Sequence, residues 1–335
     1  MINQILLRER IPMNDLNGKI AVVTGGGSGI GRALVQQLSA AGCHVACCDL
    51  DSEGLEQTRS ISLQEAPEGT HISLHICDVA DEQAMQSFAT QALTEHSTDH
   101  FNLLINNAGI AGGGSFISDP RDQWEKTFGV CWGGVYIGCR VFLPLLIKST
   151  EGHVINISSV NGFWACMSPN FPHTAYSAAK FAVKGFSEAL MIDLQINAPH
   201  VGLSVVMPGH IGTSIAINAR KVHDLVLPAN MSAEEIAEVR KLWARLDEKA
   251  GQLDDATVVQ MLELQGQHFR DNAPTTAAEA ATIILDGMRS KQWRILVGDD
   301  AVGMDAMVRE EPQKAYTLDF FQRLQAKGIF DQTAV

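Results

Sequence analysis

Seven short runs, each apolar at nearly every position, recur along this chain: "KIAVVTG", "HVACCDL", "ISLHICDV", "FNLLINNAG", "HVINISS", "GLSVVMPG" and "RILVGDD". Longer helical stretches such as "ALVQQLSAAG" separate them. A strand that is apolar on both faces has to be covered on both, and helices between strands supply that cover through parallel crossovers. The pattern predicts an α/β fold with a doubly wound parallel sheet.

Two segments break the rhythm. Residues 214–275 hold two helix candidates, "SAEEIAEVRKLWARLDEKAG" and "DDATVVQMLELQGQHF", and Ser232 with Glu235 reads as a capping box for the first. Because this insertion precedes the last strand, it is expected at the carboxyl edge of the sheet as a helical substrate lid. The expected layout is one domain over 1–298 that contains the lid, followed by an extension at 299–335. The extension carries Tyr316, Phe320, Phe321 and Phe330, an aromatic content that suggests docking on the body or on another subunit.

Charge narrows the partners. With 25 basic and 38 acidic residues the net charge is −13, which argues against nucleic acid and anionic membranes, since both require basic patches. The seven cysteines are scattered through apolar segments, as expected of reduced thiols in a cytoplasmic protein. In "CHVACC" a strand would turn Cys47 and Cys48 to opposite faces, so we read them as core thiols rather than metal ligands. His71 and His75 would share a strand face, but no array of Cys or carboxylates joins them, and no metal is expected. The most apolar run, "GVYIGCRVFLPLLI", contains Arg140 and Pro144 and reads as shorter than a membrane span.

The first strand leads into "VVTGGGSGIGRAL", with Gly25, Gly29 and Gly31 between strand and helix. Glycines allow the chain to turn tightly and approach a pyrophosphate, whose charge then faces the helix amino terminus. Asp49 ends the second strand, where its carboxylate suits a ribose diol and would repel a 2′-phosphate. No Lys or Arg stands at position 28 or beside Asp49, so NAD(H) is expected over NADP(H).

"TGGGSGIG", "NNAG" at 106–109, "YSAAK" at 176–180 and "MPGHIGT" at 207–213 together resemble the short-chain dehydrogenase/reductase family, over about 15–215 plus the last strand. The resemblance implies a Rossmann-type domain, in most members a dimer or tetramer, that moves hydride between a nicotinamide and an alcohol or carbonyl carbon. By that resemblance Gly25, Ser28, Gly29, Ile30 and Gly31 form the pyrophosphate turn and Asp49 the ribose contact. Asp78 and Val79 flank the adenine, Asn107, Ala108 and Gly109 line the adenosine ribose, and Pro208, Gly209, Ile211 and Thr213 border the nicotinamide. Each position has a plainer alternative: "NNAG" as a sheet staple, Thr213 as a helix cap and Asp78 as a turn former.

Tyr176 and Lys180 lie four residues apart on one helical face, which would also suit a core tyrosine with a lysine at its rim. Carbonyl reduction needs a proton donor at the developing alkoxide. Bringing a phenol from pKa ~10 to about 7 takes roughly 4 kcal/mol, and a cation ~4–5 Å away at an effective dielectric of ~20 supplies on the order of 3–4 kcal/mol. The resemblance makes Tyr176 the general acid/base, Lys180 its electrostatic partner and both of them cofactor contacts, with Ser159 orienting the substrate. Ser159 is preferred over Ser158 for its offset to Gly162.

The interval from Ser159 to Tyr176 is longer than is usual in the family. Phe163, Trp164, Met167, Phe171 and His173 within it are candidate walls of a pocket for a bulky apolar or aromatic substrate, or else pack on the lid. Lining up Gly134–Val135 and Pro144 puts Cys131 where many members have the asparagine of a proton relay. That departure leaves a second reading open, an NAD-binding sensor or scaffold with decayed catalysis.

Overall fold

The apolar runs become strands β1 Ile20–Thr24, β2 His44–Asp49, β3 Ile72–Ile76, β4 Leu103–Asn106, β5 Gly152–Ile157, β6 Val201–Pro208 and, last in sequence, β9 Arg294–Val297. The computed structural model describes residues 13–166, 172–244 and 248–329. Within them the strands form one sheet of order β3-β2-β1-β4-β5-β6-β9, parallel throughout. The order reverses between β1 and β4, so the crevice above those two strands is where a ligand is received in such sheets.

Helices cover both faces. The first face packs on α1 Gly29–Ala40, α2 Ser52–Glu65 and α10 Ala277–Arg289, the second on α3 Glu82–Glu95, α5 Gly134–Ile147 and α6 Thr174–Asn197. Cys47 lies in the first core layer and Cys48 in the second, as the alternation of a strand requires. Burial pushes Cys43, Cys47 and Cys139 each up to about 12.

The insertion begins and ends at a two-residue parallel ladder, β7 Ile211–Gly212 against β8 Thr275–Thr276. It contains α7 Ile215–Val222, α8 Ala233–Ala244 and α9 Asp255–Asp271. The Ser232–Glu235 capping box forms, with Glu235 N donating to Ser232 Oγ at 3.2 Å and Ser232 N to Glu235 Oε2 at 2.7 Å. The insertion is tied to the body where His223 Nε2 lies 2.9 Å from Ala111 O and Lys126 Nζ donates to Val222 O.

One expectation fails. The "GVYIGCRVFLPLLI" run does not stand alone: it continues from α4 Arg121–Phe128 through a π-helical turn, Gly129–Gly133, into a 27-residue helix long and apolar enough to cross a membrane by length and composition. Periodicity cannot foresee the junction, because a π turn inserts an extra residue and Gly129, Gly133 and Gly134 weaken the helical signal. The side chains of Val135, Cys139, Phe142 and Leu146 are buried against the sheet, as in a core helix.

The extension docks on the body. Helices α11 Asp299–Glu310 and α12 Leu318–Ala326 close a third core cluster in which Phe320 and Phe321 pack on Trp164. Phe330 lies outside the described residues.

Candidate active site

The glycine turn has little room for side chains. Gly25 and Gly29 adopt φ of +69° and +52°, and a Cβ on Gly31 would stand 1.9 Å from Gly25 O. A Cβ on Gly27 would meet Asp49 Oδ2 at 2.9 Å. The close approach lets Gly27 N donate to Asp49 Oδ2 at 2.9 Å, while Asp51 N donates to Oδ1 at 3.1 Å. Ser28 is the N-cap of α1 yet makes no side-chain cap bond, and Ile30 packs on the first core layer. A backbone cradle at a helix amino terminus, with a carboxylate at the next strand end, fits a dinucleotide.

Other strand ends complete the rim. Asp78 forms a turn through Ala80 N, 2.9 Å from its Oδ1, while Val79 packs against Gly134. Asn107 Nδ2 donates to Thr24 O and Gly25 O at 2.9 and 3.2 Å, and Asn107 N and Ala108 N both donate to Thr24 Oγ1, stapling β4 to the glycine turn. Gly109 abuts both Lys180 and Cys131. At the end of β6 and just beyond it, Pro208 and Ile211 are buried, Gly209 packs on Asp300, and the Thr213 methyl faces Gly29 across the mouth.

Ser159, Tyr176 and Lys180 converge at the end of β5. Ser158 Oγ donates to Lys180 O at 2.8 Å, and a Cβ on Gly162 would meet that same hydroxyl at 2.3 Å. Ser158 is thereby committed to holding the 3-10 turn Val160–Gly162 against α6, while the Ser159 hydroxyl accepts from Asn161 N at the start of that turn. Lys180 is 2% exposed; its Nζ donates to Ile157 O at 2.9 Å and lies 5.3 Å from the Tyr176 ring centroid.

Burial opposes the lowering of the phenol expected from the neighbouring lysine. Burial pushes Tyr176 up, Cys131 adds to this, and only the Ser159 hydrogen bond pulls down. Burial also pushes Lys180 below its ordinary value, with Cys131 opposing. Desolvation thus moves the two groups in opposite senses.

The pocket candidates separate. His173 adjoins Tyr176, their ring centroids 4.7 Å apart, and burial lowers it to about 4, so it is neutral at pH 7. Trp164, expected as a pocket wall, is instead a core side chain: it is 1% exposed, and its indole N–H donates to Ala315 O at 2.7 Å. Phe163 packs on the same cluster, with the Arg294 guanidinium over its ring at 5.7 Å. These two therefore pack on the extension, not on the insertion. Met167 and Phe171 lie outside the described residues.

Three contacts carried no sequence signal. Cys131, within the π turn, donates its thiol to Ile110 O at 3.3 Å and accepts from Ile110 N at 3.4 Å. The Arg32 guanidinium joins Gly27 O, Gly54 O and Thr58 Oγ1, bracing the glycine turn. Asp300, in the extension, accepts from His210 N at 2.6 Å and so fixes the turn after Pro208.

Comparison with known proteins agrees with the fold. The short chain dehydrogenase family model matches residues 19–224. Putative oxidoreductase SadH of Mycobacterium tuberculosis is 32% identical over 95% of this chain and 97% of its own. Human epidermal retinol dehydrogenase 2 is 30% identical over 61% of this chain and 64% of its own. Among solved structures, a short chain dehydrogenase/reductase from Burkholderia phymatum in complex with NAD superposes with a TM-score of 0.71 at 26% identity, covering 90% of this chain and 96% of that one. A metagenomic short-chain oxidoreductase in complex with NADP gives 0.50 at 30% identity, over 58% and 84%. From the glycine turn to the end of α6 the chain is built as these oxidoreductases are, and it belongs to the short chain dehydrogenase family.

Proposed function

We propose that the protein interconverts a secondary alcohol and its ketone with NAD(H), using Tyr176 as general acid/base, Lys180 as its electrostatic partner and Ser159 to orient the substrate. The observation that carries this reading is the convergence at the end of β5: Ser158 is committed to Lys180 O, Ser159 Oγ accepts from Asn161 N and keeps its proton to give, and Lys180 Nζ lies 5.3 Å from the Tyr176 ring centroid. A bound nicotinamide would supply or accept the hydride, and its oxidised ring would carry a positive charge that favours the phenolate. Gly25, Gly29 and Gly31 would admit its pyrophosphate, Asp49 its adenosine ribose and Thr213 its carboxamide. Tyr176 donates its phenolic proton to the alkoxide oxygen in reduction and takes it back in oxidation. Ser159 donates a hydrogen bond to that oxygen, and buried Lys180 stabilises the phenolate left behind.

The Asp49 carboxylate supports NAD(H) over NADP(H). A single charge ~5 Å from a 2′-phosphate at an effective dielectric of ~20 costs on the order of 3 kcal/mol, which salt and solvent reduce. We therefore expect kcat/KM to favour NADH over NADPH by about tenfold or more. A higher kcat/KM with NADPH would overturn the assignment.

A bulky apolar or aromatic substrate is supported by a relative named for retinol and by the exposed apolar side chains Ile217, Leu225, Val226 and Leu227 of the insertion. We expect a cytoplasmic homodimer or homotetramer. The exposed apolar side chains Tyr136 and Ile147 on α5, with Phe181, Ile192 and Ile196 on α6, are the candidate contact face for a second copy.

A further inference from the structure

A hydroxyl has one proton to give and lone pairs to receive with, so whatever fixes its acceptor side also aims its donor side. Ser159 Oγ accepts from Asn161 N at 3.1 Å, which leaves its proton for the phenol or for a substrate oxygen. The Asn161 side chain touches neither. It is 2% exposed, and its amide donates to Trp164 O and to Cys166 O, each at 3.1 Å, closing the segment 161–166 into a loop.

That loop is held from outside the family domain. Trp164 Nε1 donates to Ala315 O at 2.7 Å, and Ala165 N donates to Tyr316 Oη at 3.1 Å. The indole packs on Phe320 and Phe321, ring centroids 5.9 and 5.2 Å away, in a cluster with Met304, Met307 and Leu324. Val160, Phe163 and Cys166 lean on the same cluster. The catalytic turn thus has two faces: Ser158 ties it to α6, and Trp164 ties it to the extension.

We propose that the C-terminal extension is a positioning strap for Ser159, acting through Trp164 and through Asn161 as a positioning residue. The strap rests on the reading of Ser159 given above and assigns a role to residues 299–329, which lie beyond the matched domain. Its action is geometric. A shift of the 161–166 loop carries the Asn161 N–H with it, rotates the Ser159 hydroxyl and misdirects the proton it offers to a substrate oxygen.

The test compares Asn161→Ala and Trp164→Phe in the full chain, each alone and in a Ser159→Ala background. The readouts are kcat and KM for ketone reduction with NADH and, separately, the NADH Kd by fluorescence. Trp164→Phe keeps a large ring and removes the donor to Ala315, so it serves if Asn161→Ala does not fold. We expect Asn161→Ala to lower kcat about 10- to 100-fold and Trp164→Phe about fivefold, with NADH Kd unchanged within about twofold. In the Ser159→Ala background each should cost less than about twofold, because the group being positioned is gone. Full activity, or equal losses in the two backgrounds, overturns the strap. If Ser159→Ala or Tyr176→Phe is itself fully active, the underlying reading of the site has failed instead.

Discussion

Tyr176→Phe is expected to lower turnover by about 10³- to 10⁴-fold while NADH binds as before. The substitution removes one oxygen and preserves the ring that packs against His173 and under the Lys180 ammonium, so the helix and its neighbours need not move. What goes is the proton donor, and positioned general acid–base catalysis contributes about 10²- to 10⁴-fold. The upper range is expected because His173, the ring beside the phenol, is held neutral by burial and is a weak stand-in acid at pH 7. Steady-state rates with a ketone and NADH, together with NADH fluorescence titration, check this; a variant retaining a tenth of the activity would contradict it.

Lys180→Met is expected to lower kcat for ketone reduction by about 100-fold. Reduction leaves a phenolate at Tyr176, and a cation ~5 Å away at an effective dielectric of ~20 is worth on the order of 3 kcal/mol to it. Methionine matches the stem but takes away the donor to Ile157 O, so some stability is lost as well, about 1–3 kcal/mol for a buried unpaired carbonyl. The pH dependence has a definite sign. Burial already raises the phenol, and alcohol oxidation requires its deprotonated form. Removing the nearby cation disfavours the phenolate further, so the rising limb of oxidation moves to higher pH. Reduction uses the protonated phenol, so its profile should stay flat at neutral pH. A pH–rate profile with an unmoved oxidation limb would show that Lys180 acts only as a structural donor.

The residues that set the fold were legible because local chemistry dictates them. A run apolar on both faces can serve only as a covered strand, and all seven such runs entered the sheet. Ser232 and Glu235 made their capping box because both partners lie within one turn. The glycines of the first turn were legible for a similar reason, since any side chain on Gly31 meets backbone. Long-range partners were not legible. Trp164 reads as a pocket aromatic until Phe320 and Phe321, some 155 residues on, are packed over it. The burial that opposes the lysine at Tyr176 was not legible for a related reason: helical spacing reveals the neighbouring lysine but not the desolvation of either group. The two-point grip of Cys131 on Ile110 likewise depends on a π turn that no apolar period announces.

The central claim is that this chain moves hydride to a carbonyl carbon. The most direct measurement is incubation of the purified protein with NADH deuterated at nicotinamide C4, as each of the two C4 epimers, against a panel of aryl and bulky aliphatic ketones, followed by mass spectrometry of the alcohols formed. Deuterium is expected at the carbinol carbon from one epimer only, with the transfer abolished by Tyr176→Phe. Tight NADH binding with no deuterium in any product would contradict it and favour an NAD-binding sensor.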